Sequence, residues 1–124
     1  MIRNSKTAVL VIDDDADIRE LMKILLEADG YQVNVAADGA EALEQLQTGA
    51  RPALILLDLM MPQMDGEQFL KRIHSGRFAK VPVVILSGHS GGKKKAEQLK
   101  AASCLPKPVE LDELLKTVHR FANA

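Results

Sequence analysis

The sequence predicts an α/β fold built on a parallel sheet, and two observations carry that reading. Short apolar runs alternate with helical patterns along the chain, as they do in repeated β-α units. One run, Leu54–Asp58, is almost wholly apolar, as befits a strand buried on both faces.

The first strand is Ala8–Ile12. The helix after it sets Ile18, Leu21, Met22, Leu25 and Leu26 at i, i+3, i+4, i+7 and i+8, one apolar stripe. Asp15 suits its N-cap, since a short side-chain oxygen can accept an orphan N–H, and Gly30 suits its C-terminal stop. The second strand is about Gln32–Ala36. Asp38 then begins a helix through Leu43 and Leu46 to about Thr48, stopped by Gly49. Leu54–Asp58 is the third strand, and a loop with Pro62 and Gly66 leads to a helix carrying Phe69, Leu70 and Ile73.

Val83–Leu86 reads as the fourth strand. The small, Gly-rich stretch Ser87–Gly92 reads as a mobile loop, followed by a weaker helix over about Lys93–Ala102. Ser103–Leu105 is a short fifth strand before Pro106. The last helix carries Leu111, Leu114, Leu115, Val118, Phe121 and Ala122 on one face. These make five β-α units with no short-period repeat and no linker, so residues 1–124 are expected to form one domain.

Composition narrows the class. At 124 residues the chain can bury roughly two thirds of its unfolded surface. With 47% hydrophobic and 27% charged residues it is not a disordered sequence. Only three Phe and one Tyr are present, so the core falls to Leu, Ile, Val, Ala and Met. Cys104 is the single cysteine, which rules out an internal disulfide and fits a reducing compartment. No apolar run approaches the ~20 residues of a membrane span. The run Ala8–Ile12 is too short for a signal peptide. A cytoplasmic protein with no membrane partner is expected.

Charge is uneven. Residues 1–62 hold five Lys/Arg against eleven Asp/Glu, and residues 63–124 hold eleven against six. The basic half lacks interleaved aromatics and the whole is not basic, so no direct nucleic-acid partner is expected.

Ligands of open parallel sheets bind beyond the carboxyl ends of the strands. Here the first strand ends in Asp13 and Asp14, the third in Asp58, the fourth in Ser87, and the fifth runs into Lys107. If the first and third strands are neighbours, three carboxylates meet in one crevice. Such a group stays ionised only with a cation among it. Oxygen-only donors favour Mg²⁺ or Ca²⁺ over Zn²⁺, and Mg²⁺ commonly takes one or two carboxylates plus a phosphate oxygen. A carboxylate can attack phosphorus and form an acyl phosphate. Lys107 suits a phosphoryl oxygen as a point charge, and the Ser87 hydroxyl can donate to another.

At these residues the sequence resembles the receiver domain of two-component response regulators. The matching stretches are Val9–Asp15 (VLVIDDD), Asp58–Gly66 (DLMMPQMDG), Val83–Gly88 (VVILSG) and Leu105–Pro108 (LPKP), in the family order. The resemblance covers essentially the whole chain. It implies a five-stranded doubly wound sheet of order 2-1-3-4-5 with five flanking helices. It implies a phosphorelay switch that takes its phosphoryl group from a histidine kinase or phosphotransfer protein and relays the change to a downstream protein target. Asp58 matches the phosphoacceptor. Asp13 and Asp14 match the acidic pair that holds Mg²⁺ with Asp58, Asp14 being favoured as the direct ligand. Met60 matches the position whose backbone carbonyl joins the metal. Ser87 matches the switch hydroxyl, Lys107 the family lysine, and Lys107–Pro108 a cis peptide.

The sequence departs from that pattern in three places. Cys104 stands where the family usually has Tyr or Phe, so coupling by a turning ring is not expected; the residue reads as a small buried hydrophobe. Gly88, Gly91 and Gly92 cluster before Lys93–Lys95, whose charge opposes the helix dipole, so the fourth helix is expected to be short and mobile. Met60 cannot hold an attacking water by hydrogen bonds. Slow loss of the phosphoryl group is therefore expected unless His89 positions that water. His74 and His119 read as surface residues. Output is expected through protein contacts at the fourth helix, fifth strand and last helix.

Two rival functions make different demands. A haloacid-dehalogenase-like phosphatase needs a second acid two residues after the nucleophile, where this chain has Met60. A pseudo-receiver, an interaction module that takes no phosphate, has no need of the full set Asp13, Asp14, Asp58, Ser87 and Lys107, though Cys104 suits it mildly. The chain is thus expected to be a phosphoacceptor rather than an enzyme.

Overall fold

The computed structural model describes residues 7–59, 66–88 and 92–123, with 92 and 93 described by backbone alone. Strands and helices alternate throughout: β1 (Ala8–Ile12), α1 (Ala16–Ala28), β2 (Gln32–Ala36), α2 (Gly39–Gln47), β3 (Leu54–Asp58), α3 (Gly66–His74), β4 (Val83–Ser87), α4 (Gly92–Gln98), β5 (Ser103–Pro106) and α5 (Leu111–Ala122). The five strands pair in parallel in the order β2-β1-β3-β4-β5. This is the doubly wound sheet with five helices that the sequence led us to expect. Among the described residues no helix is long and apolar enough to cross a membrane.

Strand alternation divides the core in two. Val9, Val11, Leu54, Leu56, Val84 and Leu86 meet Met22 and Leu26 of α1 and Leu114 and Val118 of α5. Leu10, Ile12, Ile55, Leu57 and Ile85 face the other way, toward Leu46 of α2, Phe69, Leu70 and Ile73 of α3, and Ala96 of α4. Burying each such side chain contributes about 1.5–3 kcal/mol relative to leaving it in water. β3 is buried along its whole length, because it is the central strand and has helices on both faces.

Two stripe positions turn outward. Leu21 and Leu111 belong to the apolar faces of α1 and α5, yet they are 51% and 47% exposed. They border a groove between the two helices, about 640 Å³, that is also lined by Ile18, Met22, Val109 and Leu114. Periodicity marks a wide apolar face but does not say where the neighbouring helix stops covering it.

Helix ends follow the local chemistry. Asp15 accepts from the N–H groups of Asp17 (2.9 Å) and Ile18 (3.4 Å), and Asp38 accepts from that of Glu41 (2.8 Å), so both expected caps are in place. Gly30 adopts φ 95° and closes α1 with a pair of bonds, Gly30 N–H to Glu27 O and Tyr31 N–H to Leu26 O. The fourth helix ends the same way, through Lys100 N–H to Glu97 O and Ala101 N–H to Ala96 O, but its left-handed residue is Lys100, φ 60°. That turn stops α4 at Gln98, four residues short of the expected end at Ala102, which already donates to Val83 O beside β5. Sequence reading finds such stops when glycine marks them and overlooks them when lysine does. His119 is also more than a surface residue: its Nε2 lies 2.6 Å from Asp29 Oδ2, tying the end of α5 to the end of α1.

The left-handed conformation costs a residue with a Cβ about 1–2 kcal/mol, part of which glycine's extra freedom in the unfolded chain offsets. Lys100→Gly is therefore expected to stabilise the protein by about 0.5–1 kcal/mol, raising the melting temperature by roughly 2–5 °C. A thermal melt in which the variant unfolds at or below the wild-type temperature contradicts this account of the turn.

Candidate functional site

The strand register assembles the site. Ile12 pairs with Leu57, so the next residues, Asp13 and Asp58, emerge side by side at the carboxyl edge of the sheet. Asp58 pairs with Leu86, which places Ser87 one step beyond. Ser87 pairs with Pro106, and the Lys107 N–H then donates to Ser87 O at 2.8 Å, extending the ladder to the residue that carries the amine. The Lys107–Pro108 peptide is cis.

Ligand oxygens of Asp13, Asp14 and Asp58 all lie within 4.8 Å of one another. Asp13 is 0% and Asp58 3% exposed, whereas Asp14 faces solvent. The Lys107 ammonium stands over the buried pair, 3.3 Å from Asp13 Oδ2 and 3.2 Å from Asp58 Oδ2. Ser87 is 6% exposed at the end of β4. The structure thus brings Asp13, Asp14, Asp58 and Lys107 into contact distance, and the register sets Ser87 beside them. Met60 and His89 lie outside the described residues, and so do Pro62 and Gly91.

Asp13 is held at every polar atom. Its N–H donates to Ala36 O (3.1 Å). Its carbonyl accepts from Arg19 Nη1 (2.8 Å). Its Oδ1 accepts from the Asp15 N–H (2.9 Å), and its Oδ2 from Lys107 Nζ (3.3 Å). Gly66 supports Asp58 from below. A Cβ at residue 66 would lie 2.7 Å from Leu59 Cδ2, 3.0 Å from Leu59 Cα and 3.4 Å from Asp58 O, so a larger residue would push on the backbone at Asp58 and Leu59.

The charges do not balance. Two unit charges within 4.8 Å repel by about 3 kcal/mol or more even at an effective dielectric near 20. Burial is the main force raising the Asp13 pKa above its ordinary value, and the neighbouring Asp58 adds to it; the Asp15 N–H and Lys107 oppose it without prevailing. For Lys107, burial pulls the pKa down, but attraction to Asp13 and Asp58 outweighs it and the net shift is upward. Among the described residues, one lysine faces three carboxylates, an arrangement that suits a divalent cation, and an all-oxygen donor set suits Mg²⁺.

Cys104 lies on β5 against the second core cluster with Leu99 and Ala101, half-buried. Burial pushes its thiol pKa up, which makes it a poor nucleophile at neutral pH. Sequence reading missed Arg19. Its signal was faint: a lone arginine one turn after the Asp15 cap.

With this geometry in view, the chain can be compared with known proteins. A family model described as the response regulator receiver domain matches residues 9–119. The transcriptional regulatory protein CpxR homolog of Haemophilus influenzae is 38% identical over 112 residues, which are 89% of this chain and 48% of that protein. The chain therefore spans about half the length of such curated relatives. Among solved structures, the chemotaxis protein CheY4 of Vibrio cholerae superposes with TM-score 0.86 at 34% identity, covering 94% of this chain and 99% of that one. The response regulator TrrA of Thermotoga maritima, in complex with Mg²⁺-BeF, gives TM-score 0.83 at 29% identity, covering 93% and 98%.

The raised pKa of Asp13 has a stability consequence. Folding favours its protonated form, so its contribution is fully present below the unfolded value of 3.8 and is lost as pH rises through the higher folded value. Without added metal, Asp13→Asn is expected to be more stable than wild type at neutral pH, and the difference should close below pH 3.8. Denaturant unfolding across pH checks this. A variant less stable than wild type at pH 7 would show that Lys107 overcompensates the burial.

Proposed function

The chain belongs to the response regulator receiver domain family, and from that premise we propose that it is a phosphorylation-controlled switch with Asp58 as phosphoacceptor. The observation that carries the proposal is the Lys107 ammonium poised within 3.3 Å of both buried carboxylates, Asp13 and Asp58. Receiver domains act in signalling by accepting phosphate rather than by turning over substrates. Membership alone does not assign the residues.

The donor is a phosphohistidine of a histidine kinase or phosphotransfer protein. A carboxylate oxygen of Asp58 attacks phosphorus; the P–N bond breaks, and the imidazole leaves with the bonding pair and takes up a proton from solvent. Asp13, Asp14 and Asp58 would hold Mg²⁺ together with the Met60 carbonyl, and the ion, when bound, neutralises charge on the transferring group. The donor chemistry fits, since every ligand is a hard oxygen and, among the described residues, three carboxylates face one lysine. The same metal in the TrrA structure supports this reading.

Lys107 would pair with a phosphoryl oxygen once the acyl phosphate forms. To do so it exchanges part of its attraction to Asp58, whose charge has moved onto the phosphoryl group. The Ser87 hydroxyl donates to a second phosphoryl oxygen. Both residues sit on the β4–β5 side of the sheet, so the movement reaches α4 and α5, where a downstream protein target can sense it. Leu21 and Leu111 leave apolar surface along a groove that Asp15 and Lys107 also line, as contact with a protein donor requires. The single cysteine fits a cytoplasmic place of action.

Incubation with acetyl phosphate and Mg²⁺ tests the assignment. Intact-mass measurement should show one added phosphoryl group on wild type and none on Asp58→Asn, and chelating the metal should abolish labelling. Equal labelling of both proteins removes Asp58 from its role.

A further inference from the structure

Arg19 lies on α1, where a cation opposes the helix dipole and adds positive charge next to a site that should attract cations. Charge alone therefore gives no reason for it. Its geometry does. Arg19 Nη1 donates to the Asp13 carbonyl at 2.8 Å. The Arg19 backbone N–H donates to Asp15 O at 3.0 Å, so the same residue starts the helix and reaches back over the turn. Asp13 and Asp14 are the two acids that this turn delivers to the cluster with Asp58.

We propose that Arg19 is a positioning residue for divalent-cation binding: by gripping the Asp13 carbonyl it fixes the β1–α1 turn from which Asp13 and Asp14 present their carboxylates. The proposal rests on the reading that the acid cluster binds Mg²⁺. Each other polar atom of Asp13 is held by a backbone group or by Lys107, and Lys107 must shift toward an incoming phosphoryl group. When it does, the guanidinium and the two backbone bonds remain to hold the residue in place. A partner behind a metal ligand acts in this way: it restricts the ligand before the metal arrives and leaves the metal's own bonds unchanged.

A positioning role and a charge effect predict opposite outcomes. Were Arg19 merely a nearby positive charge, Arg19→Gln would bind Mg²⁺ more tightly. As a positioning residue, its loss should weaken Mg²⁺ binding by about tenfold, the low end of what such partners contribute. Arg19→Lys keeps the charge but not the reach and fork of the guanidinium, and it should weaken binding as well. Titration calorimetry of MgCl₂ into folded wild type and both variants, checked by circular dichroism, reads this directly.

Phosphorylation by acetyl phosphate provides a second readout. The Mg²⁺ concentration for half-maximal rate should rise in the variants, while the rate at saturating Mg²⁺ returns to the wild-type value. Variants that bind Mg²⁺ as tightly as wild type, or more tightly, overturn the proposal and leave the cation site standing. So does a rate lowered equally at every Mg²⁺ concentration. If Arg19→Gln does not fold, Arg19→Lys decides. A wild-type protein that binds no Mg²⁺ overturns both the proposal and the reading it rests on.

Discussion

Two carboxylates buried side by side, with one ammonium between them, are the constraint around which this fold is arranged. Asp13 and Asp58 are almost fully withdrawn from water and share the Lys107 ammonium. A third acid, Asp14, adds charge at the mouth. Such a cluster is unfavourable for the isolated protein, as the upward shift of Asp13 records. It persists because the surrounding apolar sheet supplies far more stabilisation than the cluster removes. On the proposed reading, the excess negative charge attracts a divalent cation, which offsets it before a phosphoryl group adds charge of its own.

Parallel pairing makes such precision cheap to specify. Four strands that are separate in sequence end at one edge, and their register fixes the separation of the residues there to within a side chain's reach. β3, buried along its whole length, carries Asp58, the proposed acceptor, between helices on both faces. β5, at the edge of the sheet, leads into Lys107, and α4 beside it is short and ends in a strained turn at Lys100. With Cys104 in place of an aromatic ring on β5, a change at Lys107 has to reach α4 through the strand and its packing on Ala96 and Leu99.

Much of this was legible in the sequence because the determinants are local. Apolar runs gave the strands to within a residue, and Asp15, Asp38, Gly30 and Gly49 marked helix ends through caps and left-handed turns. The site residues were legible because each one closes a strand or opens the loop after it. What escaped was set by tertiary contact. Leu21 and Leu111 fit their apolar stripes but lie where no helix covers them. Lys100 adopts a conformation that its identity does not advertise. Arg19 and His119 owe their partners to the packing of α1 against β1 and of α5 beside α1, which periodicity does not encode.

On the proposed reading, Asp13, Asp14, Asp58, Ser87 and Lys107 act as one pocket for a divalent cation and a phosphoryl group. Two-dimensional amide NMR during titration with beryllofluoride, a phosphoryl mimic, tests it most directly. With Mg²⁺ present, saturable shifts should centre on Asp13, Asp58, Ser87 and Lys107 and spread into α4 and β5, and without Mg²⁺ they should vanish. Spectra indifferent to both additions, or shifts confined to a distant surface, would contradict the account.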